Sequence, residues 1–176
     1  LGAKPASFGI IEWCLLSGKF DDLSEVWEDW EEWFRNLIET HALAPVLAFV
    51  PTVHSGQTWL VAAATILDAA SFCISALDAK GLLSAGLCHT TGVTALRLIA
   101  AELADHRIAD VAALEPCSLT RPAFDAACDR LGALGASVKA DRDECWHRFT
   151  ALLREYEVVL PKLANRLLIP VESIRF

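Results

Sequence analysis

Trp59 to Leu77 is a run of 19 residues carrying one charge, Asp68. Lys80-Gly81 follows, and Gly81 to Ala101 is a second, mostly apolar run. A helix that is apolar nearly all round must lie inside something, either a protein core or a bilayer. The spacing predicts a helix from Thr58 to about Ala79, a tight turn at Lys80-Gly81, and a helix over Leu82 to Leu103. Three features favour burial in protein over a transmembrane hairpin. Asp68 sits at mid-span, where a carboxylate costs about 2.5–3.5 kcal/mol on insertion scales. The second run holds His89, Arg97 and four serines or threonines. Neither end has the Lys/Arg cluster that orients membrane helices.

Other helices should surround this hairpin. A short one is expected over Phe8 to Leu16, ended by Gly18. A stronger one begins near Leu23, with Asp22 or Ser24 as cap and acids in its first turns, where the helix dipole favours them. Its apolar residues (Leu23, Val26, Trp27, Trp30, Trp33, Phe34, Leu37 and Ile38) step by threes and fours along one stripe. Trp27, Trp30, Trp33 and Phe34 make that stripe a candidate core face or subunit interface. Pro45 should break the helix after His41. A short helical turn to Phe49 and a loop over Pro51 to Gln57 are expected next. Residues 106–119 read as irregular. Thr120-Arg121-Pro122 is a helix start, with threonine as cap and proline in the first turn, and Gly135 is its stop. The last helix spans Asp141 to Leu168, kinked or split by Pro161. No strand alternation or internal repeat is found. The fold class is all-α: one domain, a bundle of five to seven helices with a central apolar helical hairpin.

The chain has 176 residues, 54% of them hydrophobic, and a mean hydropathy of +0.38. Such a chain buries much of its surface, oligomerises or touches a membrane. Its net charge of -8 is concentrated in residues 21–40, which hold eight acids and one base, Arg35. That acidic face is either a solvated helix surface or a dock for a basic partner. No basic patch exists, so nucleic acid is not an expected partner. Six cysteines lie at 14, 73, 88, 117, 128 and 145 without a C-x-x-C pair. Reduced thiols in a cytosolic compartment are expected, with neither a disulfide framework nor a zinc site. The chain begins at Leu1 and contains no methionine, so it is expected to be a piece of a longer protein or a processed form.

Catalytic signatures are scarce. The chain has no nucleophile elbow, phosphate loop, H-E-x-x-H or dinucleotide fingerprint. Glu144 and His147 make one E-x-x-H step, whereas a di-iron bundle site needs two such pairs and further glutamates. Cys88 and His89 are adjacent on a helix, so their side chains diverge by about 100°. No enzyme activity, cofactor or metal is expected. Asp68 is the notable carboxylate: on a central helix it is paired or has a raised pKa. A buried polar tie, one meeting a histidine for example, and a proton- or ligand-sensing site are both consistent with it. His41 can satisfy backbone groups at a helix end or respond to pH.

One block of residues resembles a known family. Trp33-Phe34, Glu39-Thr40-His41, Pro45-Val46-Leu47-Ala48-Phe49, His54, Gln57-Thr58-Trp59-Leu60 and Ile66-Leu67-Asp68 are similar to the region after the pore in bacterial two-helix potassium-channel-like membrane proteins. Tyr156 to Leu168, ending in Leu163-Ala164-Asn165-Arg166-Leu167-Leu168-Ile169-Pro170, resembles that family's terminal helix. The likeness covers about a third of the chain. Pro51 stands where the family has a loop arginine, and Val93-Thr94 where an Arg-His pair is expected. A site built from those groups in relatives is therefore altered here. The resemblance implies a non-catalytic domain on the cytoplasmic face of the bacterial inner membrane. Its partners would be the pore portion of the same chain and further copies in a homo-oligomer. Glu39, His41, His54, Trp59 and Asp68 become the candidate structural or sensing residues. A free-standing helical module that binds a protein or small apolar ligand is the alternative.

Overall fold

Thr58 starts the central helix of the molecule. Its hydroxyl accepts from the Val61 backbone N–H at 3.3 Å, capping a helix that runs Trp59–Ala76. In a computed structural model of the chain, residues 6–17, 23–43, 58–104 and 119–167 are described. They contain seven helices: α1 (Ala6–Leu16), α2 (Ser24–Leu43), α3 (Trp59–Ala76), α4 (Leu82–Ala104), α5 (Arg121–Ala133), α6 (Arg142–Glu157) and α7 (Leu160–Arg166). Among the described residues the only β feature is an isolated bridge between Leu77 and Val138. The all-α bundle with a central apolar hairpin, α3 and α4, is the architecture observed. The capping role expected of Asp22, the break at Pro45, the helical turn to Phe49, the loop to Gln57 and the irregular 106–118 lie outside the described residues.

α3 packs against α1, α2, α4, α6 and α7, and α2 lies along α4. Both hairpin helices are long and apolar enough to cross a membrane, but 83% of α3 is buried inside the bundle, as against 44% of α4. Polar residues survive on α3 because they satisfy themselves. Thr65, Ser71 and Ser75 hydroxyls donate to the carbonyls of Val61, Leu67 and Ser71 at 2.7–2.9 Å. Phe72 on α3 meets Phe124 of α5 and Phe149 of α6, with centroids 5.2 and 6.2 Å away. Off-parallel packing of this kind adds to the burial of large rings.

The connections follow their residues. Gly81 turns α3 into α4 with φ of 84°. A Cβ there would also lie 2.7 Å from the Ser24 nitrogen, so both conformation and space call for glycine. Gly135 (φ 97°) ends the α5 region. Pro161 splits the last helical stretch into α6 and α7. The expected threonine cap of α5 is corrected in one respect. Thr120 occupies the N-cap position, but its side chain makes no capping hydrogen bond.

Candidate functional site

Three polar side chains converge where α3, α4 and α6 pack together. Asp68 lies on α3, His89 on α4 and Tyr156 on α6. The Tyr156 Oη donates to Asp68 Oδ1 at 2.5 Å. The His89 ring stands edge-on to the Tyr156 ring, centroids 5.9 Å apart. His89 is 3% exposed and Tyr156 1%. Asp68 keeps some accessible surface, but protein surrounds it closely. Each residue reaches this place by periodicity. Asp68 is on the α3 face that meets α6, and His89 is on the α4 face that meets α6.

Burial pushes the Asp68 carboxyl up to about 7. The hydrogen bond from Tyr156 pulls it down and the nearby Glu157 raises it further, but neither outweighs desolvation. Burial lowers the His89 pKa. Glu155 and a backbone hydrogen bond to Leu152 oppose that shift, and Arg97 reinforces it. Arg97 is held at the rim, its Nη2 donating to the Glu155 carbonyl at 2.8 Å. The His89 Nε2 is buried without a hydrogen-bond partner, which suits a neutral ring. The cluster can therefore take up or release a proton at Asp68 near neutral pH.

Nucleophilic chemistry does not converge here. Cys88 is buried on the side of α4 that faces Glu31 of α2, and burial first, then Glu31, pushes its thiol up to about 12. His89 faces α6 instead, so the two neighbours diverge. Cys14, Cys73, Cys88, Cys128 and Cys145 are buried and not joined in disulfides; Cys117 lies outside the described residues. Glu144 and His147 are both exposed on α6. Among the described residues no group of His, Cys, Asp and Glu side chains could hold a metal ion.

The other candidate residues are dispersed. Glu39 is exposed near the end of α2, and Trp59 is buried in the first turn of α3. His54 and the His41 side chain lie outside the described residues. Trp27 and Phe34 are buried at 2% and 0% exposure within the chain's own core. Trp30 and Trp33 are half-buried, packed edge to face with centroids 5.7 Å apart. Only that second pair retains surface for contact with another molecule.

Two side chains that matter locally were not singled out from sequence. Tyr156 is the partner of Asp68. Lys139 donates from Nζ to the Ile74 and Ser75 carbonyls at 2.9 and 3.2 Å, a cation closing the C-terminus of α3. Comparison with family models, curated proteins and solved structures returns no match to this chain.

Proposed function

We propose that this chain is a non-catalytic assembly or regulatory domain attached to a two-helix potassium-channel-like pore. The support comes from two separate stretches that resemble such proteins, about residues 30–70 and 156–170. A specific contact between them is the hydrogen bond from Tyr156 to Asp68. The similar residues thus include both halves of a tie between the middle of the domain and its last helical region. Trp59, Leu60, Ile66 and Leu67 of the first stretch are buried, as are Leu163 and Ala164 of the second.

Regulation would act through packing. A proton taken up by Asp68 changes the charge at the α3, α4 and α6 contact, and α3 also packs against α1, α2 and α7 and meets α5 through Phe72. Copies attached to a symmetric pore would be held around its axis. The direct experiment reconstitutes the full gene product, and a version lacking residues 1–176, into potassium-loaded liposomes. Deletion is expected to alter subunit assembly, ion flux, or the response of flux to pH between about 6 and 8. Unchanged oligomer size, flux and pH response would overturn the proposal.

A further inference from the structure

We infer that the outer face of the α2–α4 pair is a docking surface for a positively charged amphipathic helix. α4 leaves apolar side chains outside the bundle. Leu83 is 80% exposed, Leu87 51% and Leu98 48%. With Thr90 and Thr94, also exposed, they recur at steps of three and four and form one stripe. The two threonine hydroxyls donate to the Gly86 and Thr90 carbonyls at 2.9 and 2.8 Å. Neither is left seeking a partner, so the stripe asks for apolar contact. No Asp, Glu, Lys or Arg occurs from Gly81 to Leu96. From Leu83 to Thr94 the exposed stripe is uncharged; Arg97 beside Leu98 is the charge at its end, and its guanidinium is held by the Glu155 carbonyl.

The neighbouring helix supplies the opposite character. Ser84 donates to Glu28 at 3.4 Å, Thr91 donates to Glu31 at 3.3 Å, and Gly92 sits under Phe34. α2 and α4 therefore run parallel, with the Glu28 edge of α2 along the border of the stripe. Glu31 is paired with Arg35 at 2.9 Å. Glu28, Glu32 and Glu39 are exposed along the same edge by helical periodicity, with Arg35, the partner of Glu31, between them, so the edge stays net negative. The surface is thus a leucine row on one helix with a carboxylate row beside it on the other. A helix with apolar residues at three- and four-residue steps and Lys or Arg on one flank complements both rows at once. A second copy would bring two chains of net charge -8 together. An anionic bilayer would meet the same carboxylates.

The probe is an amphipathic Leu/Lys peptide of about 18 residues, titrated into the 176-residue chain by calorimetry and followed by amide NMR. A scrambled peptide of equal composition and a Leu/Glu counterpart are the comparisons. The Leu/Lys peptide is expected to bind, to shift α2 and α4 signals, and to weaken as salt rises. Leu87→Ser with Leu98→Ser, and separately Glu28→Lys with Glu32→Lys, should each weaken binding about tenfold or more. All four positions are exposed, so the variants should keep the wild-type circular dichroism. Equal binding of the scrambled peptide, no binding, or binding untouched by the variants would overturn the inference. A dimer dissolved by Leu98→Ser would also overturn it, as would uptake onto uncharged phosphatidylcholine vesicles through the same leucines.

Discussion

Asp68 illustrates how one carboxyl makes stability depend on pH. Its folded pKa, raised to about 7 chiefly by burial, lies above the ordinary value of 3.8. The fold therefore prefers the protonated acid. That preference contributes fully below about pH 4 and is lost as pH rises through about 7. Asp68→Asn should thus gain stability relative to the parent across that window, by a few kcal/mol and about 4 at most. Urea unfolding of both proteins at pH 4, 5.5 and 8 checks this. A difference that does not change with pH would show that the carboxyl is ionised throughout. His89 acts with the opposite sign. Its lowered pKa removes stability as pH falls below about 6.5, and it is common to both proteins, so it cancels in the comparison. A lone charge in an apolar run made Asp68 visible in the sequence. Tyr156 was not visible as its partner, because 88 residues separate them and helix periodicity carries no information about pairing across a bundle. A histidine was the expected kind of partner; His89 is present, but it packs on the tyrosine ring.

At the scale of helices, the same residue type has opposite effects at two places on α4. A Cβ on Gly92 would lie 2.7 Å from the Phe34 ring and 2.8 Å from Leu67. Both are fully buried, so neither can move cheaply. A Cβ on Gly86 meets nothing within 4 Å. Gly92→Ala is expected to lower stability by about 1–2 kcal/mol, overpacking exceeding the gain in helix propensity. Gly86→Ala should raise it by up to about 1 kcal/mol. Denaturant midpoints at constant slope read both changes; equal signs would mean that α2, α3 and α4 do not meet at Gly92. Helix positions were legible because their boundaries are local. Thr58 caps, Gly81 turns and Pro161 divides, each within a few residues of its effect. The Lys139 cap on α3 was not legible, since a lysine in a loop carries no mark of the carbonyls it will meet. The tryptophan stripe was legible as apolar, but not which members would be buried. Trp27 and Phe34 go inward and Trp30 and Trp33 stay half-exposed because α4 covers only part of that face.

At the scale of the molecule, α3 is the helix the others pack around, and the two stretches on which the proposed pore attachment rests are tied together on it by the Tyr156–Asp68 hydrogen bond. Its partner in the hairpin, α4, is only half enclosed and carries the exposed leucines. This bundle encloses a carboxyl on its inner side and leaves leucines exposed on its outer side, the face proposed above as a dock. Attachment to a pore would use both. The most direct measurement is the DNA sequence of the source genome upstream of the codon for Leu1. Two apolar segments of about 20 residues, flanking a glycine-rich filter loop, are expected in frame. A start codon within a few residues of Leu1, with no membrane segment before it, would refute attachment to a pore and leave a free-standing helical binding protein.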